Sequence, residues 1–155
     1  MSFPLSVESA VLADLDEVAV LFDAYRQFYE CPANLPAARQ YIEARLLEGD
    51  STILIARDAS RRVVGFTQLY PTFCSVTMAR IFVLYDLFVQ PSRRGAGVGR
   101  ALMSQAQQVA REAGAARMDL RTARTNVIGQ RLYESLGWEK VEWLLDYSLT
   151  LQPAP

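Results

Sequence analysis

Three glycines fall within five residues in the run Arg94-Gly95-Ala96-Gly97-Val98-Gly99, where two hydrophobic patterns of different period meet. Before it, Ala79 to Val89 is an apolar run of strand length, followed by Pro91. After it, Val98, Leu102, Ala106, Val109 and Ala113 recur on one helical face until Gly114 stops the pattern. The chain must therefore turn a strand directly into a helix. Glycines allow backbone N–H groups to converge at such a junction, and the helix N-terminus adds partial positive charge, so the turn suits a pyrophosphate. A nucleotide P-loop ends in Gly-Lys-Ser/Thr, and the one lysine of the chain is Lys140. A dinucleotide fingerprint needs its third glycine where Arg100 stands, although Asp119 lies at a suitable distance for a ribose. What remains is Arg-x-x-Gly-x-Gly, met by Arg94, Gly97 and Gly99.

The rest of the chain reads as alternating elements. Ser6 to Ala10 forms a short strand, and Asp14 with Glu17 makes a capping-box-like start for a helix along Leu15, Val18, Leu21, Phe22 and Tyr25. Pro36 opens a second helix through Tyr41, Ile42, Arg45 and Leu46. Thr52 to Ala56, Val63 to Tyr70 and Ala79 to Val89 read as an antiparallel meander, with Asp58 to Arg62 as a turn. Beyond the glycine-turn helix come a strand at Ala116 to Arg121 and a helix N-capped by Asn126. That helix has Ile128, Leu132 and Leu136 inward and Gly137 at its end. Trp138 to Leu149 adds one bent strand or two short ones, and Pro153 and Pro155 mark a tail. The expected class is α/β, a mixed and mostly antiparallel central sheet flanked by helices. Residues 1–155 form one domain with its core at about 4–150.

Composition excludes several functions. With 51% hydrophobic residues and a net charge of −1, the chain is neither disordered nor a basic nucleic-acid coat. The longest nearly apolar run, Ile81 to Val89, is about half of the ~20 residues that cross a bilayer, so no membrane partner is expected. Met1 to Leu12 does not read as a signal peptide, and a cytoplasmic location is expected. Histidine is absent, which removes every scheme built on an imidazole base. Cys31 and Cys74 carry no ligand motif, so no metal is expected and both read as free thiols. The near-zero charge is uneven. Pro91 to Arg131 holds eight arginines against Glu112 and Asp119, a balance of +6, while residues 1–90 carry −4. Such a basic stretch suits a phosphorylated ligand, and ordinary solvated helix faces explain it equally well.

Two blocks carry a family likeness. Leu84-Tyr85-Asp86-Leu87-Phe88-Val89-Gln90-Pro91, continued by Arg94 to Leu102, resembles the acetyl-coenzyme A motif of the GCN5-related N-acetyltransferases. Asn126 to Tyr133 followed by Glu134-Ser135-Leu136-Gly137-Trp138 resembles the family's second block, and the order of elements matches along about residues 4–150. Tyr25 to Tyr29 and Gly65 to Pro71 look like a bacterial subgroup related to yeast histone and polyamine acetyltransferases.

The resemblance implies direct transfer of an acetyl group from acetyl-coenzyme A to the primary amine of a small molecule or protein, with no metal and with a homodimer. Leu87, Phe88 and Val89 would pair with the pantetheine arm. Arg94 with the backbone of Gly95, Ala96, Gly97, Val98, Gly99 and Arg100 would hold the pyrophosphate, and Asn126 would touch the coenzyme or cap its helix. Tyr133 is the candidate acid for the departing thiolate, since a phenol near ~10 lies only mildly above a thiol near ~8.5. Leu132 precedes it, so Tyr133 should point off the inward stripe, although core packing is the alternative role. Tyr25, Tyr29 and Glu30 would line the acceptor side, although helix-face packing explains the tyrosines equally well. Tyr85 stands where many relatives have a glutamate base, which leaves the base open. Asp86 is the one charge in an apolar strand. It is either a structural carboxylate bonded to backbone or arginine, or a group that recognises the amine or works through water. Trp138, Trp143 and Tyr147 would serve an interface or the core. Two alternatives remain at this stage, a non-catalytic acyl-coenzyme A regulator and a transferase for a larger acyl group.

Overall fold

A computed structural model describes residues 4–153; residues 1–3 of the N-terminal stretch and Pro155 of the expected tail lie outside it. The elements are β1 (Ser6–Ser9), α1 (Leu15–Phe28), α2 (Leu35–Glu48), β2 (Thr52–Arg57), β3 (Val63–Cys74), β4 (Ala79–Val89), α3 (Val98–Glu112), β5 (Arg117–Leu120) and α4 (Val127–Ser135). The strands lie in chain order in one sheet, antiparallel from β1 to β4, with β5 parallel to β4 after the α3 crossover. This is the mixed, mostly antiparallel α/β class that the sequence indicates. Leu15, Val18, Phe22 and Ile42 of α1 and α2 pack on one face with Ile53, Ile55, Phe66 and Phe88. On the other face Val98, Leu102, Met103 and Ala106 of α3 cover Leu54, Leu69, Phe82 and Leu84. Each fully buried apolar side chain there contributes about 1.5–3 kcal/mol.

Leu84 and Phe88 lie four residues apart on β4, and strict alternation would put both on one face. They lie on opposite faces. Gln68 of β3 stands opposite Asp86 while Leu69 stands opposite Leu84, so Tyr85 is the extra residue of a bulge. One inserted residue reverses the alternation, and Asp86 and Phe88 turn toward α1.

The start of α1 departs from the expected capping box. Asp14 precedes the helix, yet its carboxylate accepts the Val11 N–H at 2.9 Å and pairs with the Arg57 guanidinium of β2. Glu17 accepts the Val63 N–H at 3.0 Å. Asp14 is engaged by the buried Arg57 guanidinium and Glu17 by the Val63 N–H, so both carboxylates serve tertiary contacts rather than the helix start. At α2 the cap is Asn34, whose Oδ1 accepts from Ala37 N at 3.2 Å ahead of Pro36.

Two other expectations fail. Residues 138–152 form neither the bent strand nor two short ones, and Trp143, Leu145, Tyr147 and Leu149 are exposed there. A strand exists only as one side of a pair, and among the described residues no strand pairs with the outer edge of the four-residue β5. Ile128, expected inward, is 84% exposed because the first turn of α4 overhangs a cavity, whereas Leu132 and Leu136 do pack inward. No helix among the described residues is long and apolar enough to cross a membrane.

Candidate active site

β5 pairs with β4 only along Ile81 to Leu84, so the stretch from Tyr85 to Val89 runs past its neighbour. Its outer edge, containing Leu87, Phe88 and Val89, therefore has no strand beside it among the described residues. The glycine turn follows at once. Gly95 and Gly97 have φ of +77° and +82°, and a Cβ at either would meet nothing within 4 Å. These glycines thus answer a conformational need rather than a packing one. Gly97 leads into α3 without a side-chain cap, leaving the first N–H groups of the helix, from Val98 to Arg100, to other partners. A strand edge continuing into uncapped N–H groups fits a pantetheine arm and its pyrophosphate.

The two arginines of the turn are held by protein groups. Arg94 donates from Nε to the Val89 carbonyl at 3.0 Å, and its guanidinium lies over the rings of Phe88 and Phe28 at 5.4 and 5.9 Å. Arg100 donates to Ser135 Oγ at 2.7 Å and links α3 to α4. Arg94 therefore ties the end of α1 to the end of β4, a contact invisible locally because Phe28 lies far away in sequence.

Tyr133 is half-buried on α4 with its ring 6.4 Å from that of Trp138, and it leans on the same core as Leu132 and Leu136. The expectation that it points clear of that packing is thus only partly met. Burial pushes its hydroxyl above the ordinary phenol range, and the Thr122 side chain opposes that shift. Asn126 holds this corner together. Its Oδ1 accepts from Gly129 N at 3.1 Å, and its Nδ2 donates to Thr122 Oγ1 at 3.0 Å. A Cβ at Gly129 would come within 2.4 Å of that amide, so a larger residue there would push the Asn126 side chain off its cap. The sequence showed Asn126 but not Thr122, which carries no period or turn signal.

Across the cleft, Tyr25 and Tyr29 meet edge-on at 5.2 Å, and Tyr25 donates to the Tyr85 carbonyl at 3.1 Å. Tyr85 itself is exposed and packs edge-on against Tyr70 at 5.4 Å; Tyr70 in turn shares a 2.5 Å hydroxyl contact with Tyr41. Asp86 is 6% exposed. Its partner is neither backbone nor arginine but Gln68, whose Nε2 donates to Oδ2 at 2.7 Å. Burial raises the Asp86 carboxyl above the usual carboxylate range, and the Gln68 bond and the nearby Tyr25 hydroxyl oppose it. Burial also raises the Tyr25 hydroxyl, with further contributions from Asp86, Tyr29 and Tyr133. Tyr25 thus lies within electrostatic reach of Asp86, Tyr29 and Tyr133. An open cavity of about 540 Å³ adjoins this group, lined by Phe28 at the end of α1 with Tyr29 and Glu30 of the turn that follows, and by Asn126, Val127 and Ile128 at the start of α4.

Comparison with known proteins agrees with this geometry. The profile of the acetyltransferase (GNAT) family matches residues 18–138. The chain is 40% identical over 147 residues to the uncharacterized N-acetyltransferase YhfO of Bacillus subtilis (strain 168), covering 95% of this chain and 98% of that one. A crystal structure of a probable acetyltransferase superposes with a TM-score of 0.89 at 35% identity, over 96% of this chain and 99% of the other. The ribosomal-protein-alanine N-acetyltransferase of Brucella melitensis biovar Abortus 2308 gives 0.81 at 26%, over 96% and 100%. With the open strand edge, the glycine turn and the tyrosine of α4 all in place, this chain belongs to the GNAT acetyltransferase family and is an N-acetyltransferase.

Proposed function

We propose that the protein moves the acetyl group of acetyl-coenzyme A directly to the primary amine of a small molecule or protein, with Tyr133 protonating the departing thiolate. The observation that supports this reading is the open edge of β4 at Leu87 to Val89 running into the uncapped N–H groups at the start of α3, with Tyr133 half-buried on α4. Acetyl-coenzyme A is the co-substrate of GNAT enzymes. Here the pantetheine arm would lie along Leu87 to Val89 and the pyrophosphate against the N–H groups of residues 95–100. A main-chain N–H of β4 would polarise the thioester carbonyl, a contact that strengthens as negative charge develops. Asn126 would keep Thr122 directed at Tyr133 and border the coenzyme. Two copies of the chain would join through residues 138–152, where Trp143 and Tyr147 are 83% and 89% exposed.

The test is thiol release from acetyl-coenzyme A against a panel of alkylamines, polyamines, amino acids, aminoglycosides and peptides. Release with at least one amine supports the reading. Tight coenzyme binding with no release for any of them would favour the regulatory alternative, and release only from longer acyl thioesters would favour a different donor.

A further inference from the structure

No side chain from Gly95 to Gly99 can form a hydrogen bond, because these residues are glycine, alanine and valine. The shape and direction of the turn must therefore be set from its flanks. On the far side α3 does this, as Ala101 N donates to the Gly97 carbonyl at 3.0 Å. On the near side Gln90 N bonds the Val64 carbonyl of β3 at 2.9 Å, and a single helical turn, Pro91–Arg93, follows. Arg93 N and Arg94 N close that turn on the Gln90 and Pro91 carbonyls at 2.8 and 3.3 Å. These two bonds fix its local shape and not its direction relative to the sheet.

The direction comes from Arg93. Its Nη2 donates to Asp58 Oδ2 at 2.9 Å, a carboxylate 35 residues away in the turn between β2 and β3. Asp58 is held in place independently of Arg93. Its Oδ1 accepts the Ser60 and Arg62 N–H groups at 2.9 and 3.1 Å, and the preceding Arg57 is pinned by Glu8 and Asp14. Burial works against the charge of Asp58, but bonds from Arg62 and Ser60 hold its carboxyl below the usual range, so it is ionised at neutral pH. Arg62 also reaches Oδ2, at 3.1 Å, but its side chain is 67% exposed against 30% for Arg93. The Arg93 bond is thus the better shielded of the two from water and salt.

We propose that Asp58 is a positioning residue for the coenzyme: through Arg93 it sets the direction in which β4 enters the glycine turn, and so where the N–H groups of residues 95–100 meet the pyrophosphate. This rests on the acetyl-coenzyme A reading above. Asp58 acts at a distance, and the guanidiniums of Arg62 and Arg93 on its Oδ2 answer a charge that would otherwise repel a phosphate. A main-chain cradle has no long side chain with which to adjust its reach, so a small displacement of the turn is felt by all its N–H groups together. Asp58 therefore governs the phosphate end of the coenzyme rather than its pantetheine arm.

Isothermal titration calorimetry of the full chain with coenzyme A and with pantetheine, which lacks every phosphate, tests the proposal. The quantity read is the preference for coenzyme A, the Kd of pantetheine divided by that of coenzyme A. Asp58→Asn keeps an oxygen for the Ser60 and Arg62 N–H groups and loses the charge, whereas Arg93→Met keeps an aliphatic stem and loses the guanidinium. Each should lower the preference roughly tenfold. The double variant should lower it no further, because both changes break the same link. A general loosening of the fold would weaken both ligands alike and leave the ratio where it was. A preference within twofold of wild type in either variant overturns the proposal, and Arg93→Met decides alone if Asp58→Asn does not fold. Additive losses in the double variant overturn it as well, since the two residues would then act separately. If the wild type itself shows no preference for coenzyme A, the pyrophosphate reading of the glycine turn fails and the proposal with it; a wild-type preference that both variants keep sinks the proposal alone.

Discussion

Asp86 carries the stability cost of its burial at a single residue. Burial raises its carboxyl, so over the pH range between the ordinary carboxylate value and the elevated folded value the native state holds the extra proton. Its contribution to stability is fully present below that range and is lost as pH rises through it. Asp86→Asn removes the ionisation while keeping an oxygen for Gln68. At neutral pH this variant should be at least as stable as the wild type, and in acid the difference should vanish; urea denaturation across pH reads both. Stability lost at neutral pH would mean that the ionised carboxylate supports the fold. Little of this was legible beforehand. The lone charge of β4 drew notice, but Gln68 looked like one more polar residue in a strand. Only the cross-strand register and the bulge reveal the pair.

Among the elements, the glycine turn was the most readable feature because its requirement is local. A positive φ at Gly97 and a helix beginning at Val98 follow from neighbours in sequence. Tertiary demands on glycine are not visible in this way. Gly65 lies in β3, where a Cβ would come within 3.1 Å of both the Phe88 carbonyl and Val98 Cγ1. Gly65→Val should therefore cost about 1–3 kcal/mol through overpacking between the sheet and α3. Gly97→Ala meets no neighbour and should cost about 1–2 kcal/mol through its backbone conformation. Chemical denaturation separates the two when combined with Leu102→Ala, which makes room beside residue 65. That change should partly rescue the first and leave the second unaltered. The aim of Arg94 was illegible for the same reason. Its motif is local, whereas the ring of Phe28 arrives from α1.

For the whole molecule, the order of elements and the β2–β4 meander followed from periodicity up to α4, while the pairing of β1 and β5 and the last segment did not. Its apolar residues suggested a strand, but a strand is made by its partner, and the β5 edge remains open among the described residues. Leu144, Leu145, Leu149 and Leu151 stand between 59% and 86% exposed, more apolar surface than one short segment normally shows to water. If two copies cover it, light scattering should give the mass of a dimer. Replacing Trp143 and Tyr147 by serine should then give a folded monomer. A wild-type monomer at all concentrations would remove the dimer from the account.

The central claim, amine acetylation with Tyr133 as the acid, is tested most directly by single-turnover thiol release with wild type and Tyr133→Phe. The ring is kept, so folding and acetyl-coenzyme A affinity should be unchanged while the chemical step slows by roughly 10²-fold or more. An undiminished single-turnover rate in Tyr133→Phe would contradict it.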